Sequence, residues 1–247
     1  MGLPTVSQRE KDAMNVESSF GFSLKGSLTT VLGGLLLIAP DSLATAAPAC
    51  AEGSIAAARA LAAGSQATVE GTVSTPSGAF ASSFFDVGFG LQDHSAGIYV
   101  SVQTDPLLVP GDRVKVTGTL ADSYGLLVLI PSASQPPYKF GHQHPPVAKR
   151  VRTGAVGEST EGLLLTVKAK VTAAPSSDLP YGYKFSVDDG SGELLVFVNV
   201  QAGIDLAPIT VGQKLRVTGF SSQFEDHYEI DPRFAADVVL LPKHGAD

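Results

Sequence analysis

The 247-residue chain contains no tryptophan, two methionines and a single cysteine, Cys50. One cysteine excludes an intramolecular disulfide. Long apolar runs are also missing, because the longest one, residues 28–39, has about twelve residues and a membrane-spanning helix needs roughly 20. These absences exclude a disulfide framework and a comfortable membrane span in this part of the chain.

Motifs of common catalytic sites are absent as well. The sequence has no Gly-x-Ser-x-Gly, no His-Glu-x-x-His, no phosphate-binding loop and no cysteine with a catalytic partner. The acidic stretch 188–193 lacks the spacing of a calcium loop, and His142 and His144 have no third ligand nearby. We therefore expect no enzyme activity, no cofactor and no metal site.

The charge balance is acidic, with a formal net charge of −7 at pH 7. The cations are concentrated in residues 139–152, which hold Lys139, Lys149, Arg150 and Arg152 and no acidic residue. A broad basic footprint is the usual sign of binding to a phosphate backbone. Its absence argues against tight nucleic-acid binding that is independent of base sequence.

An internal repeat organises the rest of the chain. The stretch VPGDRVKVTGTLADSYGLLVLI (109–130) returns as TVGQKLRVTGFSSQFEDHYEID (210–231). The likeness extends upstream, where residues 64–73 match 162–171 and residues 90–100 match 186–196. A repeat of this length indicates two copies of one domain. Apolar residues alternate with polar ones in both copies, a pattern that is typical of half-buried strands.

Five short strands are predicted in each copy, with polar turns between them. In the first copy they cover residues 68–74, 84–92, 98–103, 113–120 and 126–130, and in the second copy residues 164–172, 183–188, 194–200, 214–220 and 228–230. Five strands with a longer third connection are consistent with a small antiparallel barrel that closes its own edges.

Several of these residues resemble a known kind of module. The runs Val69–Val73, Leu91–Asp93, Gly97–Val100 and Gly111–Gly118 are similar to the OB-fold modules found beside catalytic domains in secreted bacterial nucleases. The second copy resembles them through residues 161–167 and 217–219, whereas the catalytic domain is absent. The resemblance implies an all-β protein of two tandem five-stranded OB-fold barrels, each preceded by a short helix or helical turn.

Four regions follow from these patterns. Residues 1–49 form an export segment, 50–131 the first OB-fold domain, 132–152 a proline-rich basic linker and 153–247 the second domain. In the export segment, Lys25 precedes the apolar run, and two small-x-small sites end at Ala46 and Ala49. We expect export to the periplasm, the cell surface or the medium. Met1 and Met14 both remain candidate starts, and lipid modification of Cys50 is disfavoured because the preceding residues fit the lipoprotein signal poorly.

Candidate ligand contacts are the side chains that alternation directs away from the cores, together with aromatic residues in the loops. The aromatic candidates are Phe80, Phe84, Tyr99, Tyr124, Tyr181, Phe197, Phe224 and Tyr228. Such rings are suited to stacking on nucleic-acid bases, and they are equally suited to packing one barrel against the other. The basic candidates, Lys168, Lys170, Lys214 and Arg216, form either a stripe for phosphates or an ordinary solvated face.

The function expected from the sequence is an exported, non-catalytic binding module whose ligand is single-stranded DNA or RNA. A cell-surface or periplasmic scaffold that binds a protein or a glycan is the alternative, and the negative net charge favours it. Fold analogy alone does not separate the two.

Overall fold

The structure, a computed structural model, describes residues 51–242, which form a nearly all-β fold. The predicted export segment, both candidate starts, Cys50 and residues 243–247 lie outside the described residues. No helix between residues 51 and 242 is long and apolar enough to cross a membrane.

The first part of the chain contains β1 (Ala51–Gly53), α1 (Ile55–Arg59), β2 (Gln66–Val73), β3 (Phe89–Gln92), β4 (Gly97–Val100), β5 (Asp112–Ser123), β6 (Leu126–Pro131) and β7 (Tyr138–His142). The seven strands form the first sheet in the order β1-β2-β3-β4-β6-β5-β7. Pairing of β2 with β5 closes five of these strands into a barrel, in which β4 and β6 run parallel. Closure leaves no free edge among the five strands.

The second sheet has seven strands, which are β8 (Lys149–Arg150), β9 (Leu164–Asp178), β10 (Gly182–Asp188), β11 (Leu194–Asn199), β12 (Lys214–Phe224), β13 (His227–Asp231) and β14 (Val238–Leu240). Their order in the sheet is β14-β12-β13-β11-β10-β9-β8. Pairing of β9 with β12 closes this barrel, and β11 and β13 are its parallel pair. The predicted all-β class with two five-stranded barrels is therefore confirmed.

Short helical segments precede both barrels, as predicted. Before the first, Ser54 caps α1 by accepting a hydrogen bond from the Ala57 amide at 3.2 Å. An N-cap side chain satisfies one of the amide groups that have no partner inside the helix. Before the second, two 3-10 turns occupy Thr153–Ala155 and Glu158–Thr160.

Alternation places the two barrel cores where the sequence predicts them. Val69, Leu91, Ile98 and Val116 are among the buried side chains of the first core. The second core contains Val167, Phe185, Val196, Leu215 and Val217. Burial of each such side chain contributes about 1.5–3 kcal/mol.

The second strand of the first barrel differs from its prediction. The chain becomes a strand only at Phe89, and residues 84–88 belong to a loop. Phe85, which alternation places in the core, is 72% exposed and has a φ of 54°. The alternation pattern predicts the wrong environment for Phe85, because its left-handed backbone conformation interrupts the two-residue period of a strand. In the second barrel, the predicted loop 173–182 is mostly strand, because β9 continues to Asp178 and pairs with β10.

Residues 132–152, expected to form a linker, contribute a strand to each sheet. β7 pairs with β5 in the first sheet, and β8 runs parallel to β9 in the second. Both barrels belong to one compact unit.

Two glycines meet at the contact between the barrels. A Cβ atom added to Gly97 would lie 2.0 Å from the carbonyl oxygen of Gly162, and one added to Gly162 would lie 2.3 Å from the carbonyl oxygen of Gly97. Only residues without a side chain permit backbones to approach this closely. Beside them, Leu164 donates its amide to Gln92 Oε1 at 3.1 Å.

Replacement of Gly97 by alanine is expected to lower the free energy of unfolding by about 1–3 kcal/mol, because backbone atoms of the other barrel must shift. Chemical denaturation followed by circular dichroism measures the loss. Gly53→Ala is the matched control, since its new Cβ would make only an ordinary contact of 3.7 Å with Ala57. Equal stability of the two variants would contradict a tight contact at Gly97.

Candidate functional site

Tyr99 and Phe80, two predicted ligand contacts, are buried between the barrels. Tyr99 points away from its own core, as alternation predicts, but its exposure is 0%, and that of Phe80 is 3%. With Phe220 of the second barrel they form an aromatic cluster in which the ring centroids lie 5.2–5.9 Å apart. The second barrel thus covers Tyr99 completely, and for this ring the structure agrees with the packing alternative. Phe80 packs in the same cluster, but it also lines the groove beside it, so its role as a ligand contact stays a prediction.

Asp86 holds the loop that carries Phe80 in place. Its carboxylate accepts hydrogen bonds from Tyr99 Oη at 2.6 Å, Ser101 Oγ at 2.5 Å and Ser82 Oγ at 2.6 Å. Burial, the charge of Asp86 and the hydrogen bond to it raise the pKa of Tyr99 well above its ordinary value. Satisfied polar networks of this kind make a buried contact rigid.

Beside the aromatic cluster, loops from both barrels surround a groove of about 790 Å³. Two pairs of exposed aromatic rings stand on its walls. Phe85 and Tyr181 have centroids 6.1 Å apart, and Tyr124 and Phe224 are stacked at 5.9 Å with 15° between their planes. Each pair joins one residue from each barrel, so neither barrel alone can form the groove.

Backbone strain is concentrated at the mouth of this groove. Phe85, Tyr124 and Glu225 all have φ near 54°, in the left-handed region that bulky side chains rarely adopt. The hairpin tips of the two barrels also touch, since the Glu225 amide donates to the Tyr124 carbonyl oxygen at 2.6 Å. Strained residues held by surrounding contacts often occur at functional sites.

The floor of the groove is the outer face of the second barrel. Leu195 and Phe197 from β11 lie there, together with Glu229 and Asp231 from β13. Leu195 pairs with Glu229 in the parallel ladder, so the two strands place apolar and acidic side chains beside each other. The Lys184 ammonium also reaches the groove, but it lies 3.4 Å from Asp178 Oδ1.

Both floor carboxyls hold their protons unusually strongly. Burial raises the pKa of Glu229 to about 7, with a further rise from the charge of Asp178 and an opposing effect of Lys184. Burial and the charge of Glu229 raise the pKa of Asp231 well above its ordinary value, and a hydrogen bond with Ser222 opposes this rise. Oδ1 of Asp231 has no hydrogen-bond partner among the described residues. The floor can therefore donate as well as accept hydrogen bonds near neutral pH.

The remaining aromatic candidates are divided between the groove and other places. Tyr124, Tyr181, Phe197 and Phe224 line the groove. Phe84 is exposed and does not line the groove. Tyr228 is not a groove residue either, because its hydroxyl donates to Glu158 Oε2 at 3.1 Å.

Alternation and loop position did not identify Phe85, His227, Glu229 and Asp231 as candidate contacts, although all four line the groove. His227 Nε2 lies 3.8 Å from Glu229 Oε2. The sequence pattern does point to the two acidic residues. Glu229 and Asp231 flank the core residue Ile230, so period-2 alternation directs both of them to the outer face.

The basic candidates occupy a separate surface. Lys168, Lys170, Lys214 and Arg216 are all exposed, as alternation predicts, and none of them lines the groove. No group of three or more His, Cys, Asp or Glu side chains between residues 51 and 242 is arranged to hold a metal ion.

No family model matches the chain. Over 165 residues the chain is 28% identical to "Endonuclease YhcR" of Bacillus subtilis (strain 168); the match covers 63% of this chain and 13% of that protein. The chain therefore corresponds to a small part of this relative.

Solved structures with similar arrangements include a murine DNA-binding protein bound to double-stranded DNA, with 14% identity, a TM-score of 0.39 and coverage of 73% of this chain and 99% of that one. A replication protein A heterotrimer bound to single-stranded DNA has 22% identity, a TM-score of 0.27 and coverage of 33% and 59%. At these TM-scores neither likeness bears on function.

The raised pKa of Glu229 predicts a pH-dependent stability. Between the unfolded value of 4.5 and about 7, the folded protein keeps a proton that the unfolded chain has lost. This contribution to stability is complete below pH 4.5 and is lost as the pH rises toward 7, with a slope of at most about 1.4 kcal/mol per pH unit. Glu229→Gln is expected to flatten the slope and to exceed the wild-type protein in unfolding free energy at about pH 8.

Urea denaturation followed by circular dichroism at about pH 5 to about pH 8 measures this difference. Glu225→Gln, at an exposed position, is the control and is expected to keep the wild-type slope. An unchanged slope in Glu229→Gln would contradict the proton uptake.

Proposed function

We propose that this chain is an exported, non-catalytic module that binds single-stranded nucleic acid in the groove between its two barrels. The observation that carries the proposal is the pair of aromatic walls. Phe85, Tyr124 and Tyr181 are each more than half exposed, although burial would be favourable for such rings. Exposed rings around a concave site are suited to stacking on bases, each stack contributing about 1–3 kcal/mol.

The acidic floor determines how a nucleic-acid strand would enter the groove. Glu229 and Asp231 offer no positive charge to phosphate groups, and Lys184 is already paired with Asp178. The bases therefore enter the groove while the phosphates remain at its rim. Carboxylate oxygens accept hydrogen bonds from the amino groups of bases, as they do in other base contacts.

The similarity to part of an endonuclease supports nucleic acid as the ligand class. The proposal includes the absence of catalysis, because the sequence lacks the nucleophile, metal-ligand and phosphate-loop motifs described above. Export rests on the sequence of residues 1–49 alone. Hydrolysis of an oligonucleotide that a single carboxylate substitution abolishes would overturn the non-catalytic part.

A glycan ligand at the cell surface is the second candidate, and the composition of the groove favours it. Asn199, Gln201 and Gln223 line the groove beside the aromatic rings and the two acids. Amides and carboxyls bond sugar hydroxyls, and aromatic rings cover the apolar face of a sugar. An uncharged sugar chain also needs no cation in the floor of the groove.

Fluorescence anisotropy of the full chain with a labelled single-stranded oligonucleotide tests the first proposal. Phe85→Ala and Tyr181→Ala are each expected to weaken binding at least about fivefold, because each removes a stacking surface. Tyr138→Ala is the matched control, since Tyr138 is 66% exposed on β7 and does not line the groove. If Tyr138→Ala lowers the affinity as much as Phe85→Ala does, the result would contradict a binding site in the groove. No binding by the wild-type protein would favour the glycan.

A further inference from the structure

Four cations stand in two directly opposed pairs on the outside of the second barrel. In the ladder between β9 and β12, Lys168 lies opposite Arg216 and Lys170 lies opposite Lys214. All four side chains are exposed, and we call this surface the basic face. Like charges that lie directly opposite each other destabilise a sheet. The basic face therefore opposes folding unless an anion neutralises it.

No ion pair neutralises these four cations within the part of the chain that the structure describes. None of the four side chains has an ion pair or a hydrogen bond to residues 51–242. The nearest acid in the ladder is Asp188, opposite Lys170 on β10. Its Oδ1 instead accepts hydrogen bonds from the amides of Gly190 and Gly192, at 2.6 and 3.2 Å.

The first barrel provides an internal comparison, because the registers of the two barrels correspond. A hydroxyl contact of 2.8 Å joins Thr68 to Thr117 across β2 and β5, and an equal contact joins Thr166 to Thr218 across β9 and β12. The next two outward positions in each barrel can then be compared directly.

At these positions the first barrel is neutralised. Glu70 lies opposite Lys115, and the two form a salt bridge of 3.5 Å. Thr72 lies opposite Arg113, whose guanidinium covers the Phe140 ring at 4.5 Å from its centroid. A closed barrel of this register therefore does not require four unpaired cations, and another constraint must account for them in the second.

A neighbouring strand continues the positive surface. Arg150 on β8 lies opposite Thr166 and is exposed, and Lys149 precedes it on the same strand. Neither has an ion-pair partner among residues 51–242, whereas Arg152 lies 3.6 Å from Asp189 Oδ2. Three adjacent strands thus present unpaired cations in a chain whose net charge is −7.

We propose that the basic face binds the phosphate backbone of a nucleic acid, independently of its bases and separately from the groove. Charge complementarity identifies the partner, because rows of fixed cations fit a chain of phosphodiester groups. The choice of nucleic acid among polyanions rests on the proposed function. Neutralising phosphates releases bound counterions, so the affinity must fall as salt increases.

The experiment uses a labelled DNA duplex, whose paired bases cannot enter the groove, and the full-length chain. Two variants, Lys168→Thr with Lys170→Thr and Lys214→Thr with Arg216→Thr, each remove two cations from one strand. Each is expected to bind the duplex about tenfold or more weakly at low salt and to reduce the slope of log affinity against log salt by about 1.8, or about 0.9 per lost contact. Using one variant per strand keeps the test valid if either variant folds poorly.

The control is Arg113→Thr with Lys115→Thr, which changes the corresponding positions of the first barrel. It is expected to keep the wild-type affinity and salt slope. Unchanged duplex binding in both basic-face variants, an equal loss in the control or no duplex binding by the wild-type protein would each overturn the proposal.

Two further measurements separate this proposal from the groove. Phe85→Ala is expected to keep the wild-type affinity for the duplex. Single-strand binding that Phe85→Ala leaves unchanged, with duplex binding that depends on the basic face, would therefore refute the proposed function alone. Inorganic polyphosphate is expected to compete for the basic face. If it binds there while the duplex does not, phosphate recognition stands and the assignment to nucleic acid fails.

Discussion

The buried contact of Phe80, Tyr99 and Phe220 is the constraint on which the rest of the structure depends. It places the outer face of the first barrel, where Tyr99 lies, against the second barrel. Asp86 holds the loop above it through three short hydrogen bonds to side-chain hydroxyls. Without this contact the loops of the two barrels would not converge, and the groove would not exist.

The outer face of the first barrel is covered, whereas that of the second barrel is accessible to a ligand. The corresponding face of the second barrel, with Leu195 and Phe197 on β11, remains partly open and forms the floor of the groove. Glu229 and Asp231 make this floor acidic, whereas the basic face stands on β9 and β12 and does not line the groove. The molecule thus has a surface suited to bases or sugars and another suited to phosphates.

Two barrels with the same strand order have acquired different surfaces. Closure requires only alternating apolar residues and two glycines that admit close neighbours, Gly118 and Gly219, where an added Cβ would meet backbone oxygens at 2.5 Å. The outward positions are free to vary, so Glu70 and Lys115 form a pair in one barrel and Lys168 and Arg216 repel each other in the other. Outward residues are where two barrels of one design can differ in function.

Sequence alone determined most of the barrel strands, the two cores and the outward direction of Tyr99, Lys168 and Arg216, because a two-residue period is a local property of the backbone. It did not determine the exposure of Phe85, since a left-handed φ interrupts that period. Tertiary structure decided that Tyr99 is buried while Tyr124 and Tyr181 are exposed. An outward side chain becomes buried or exposed only when another part of the chain packs against it, and residues more than one hundred positions away make that contact.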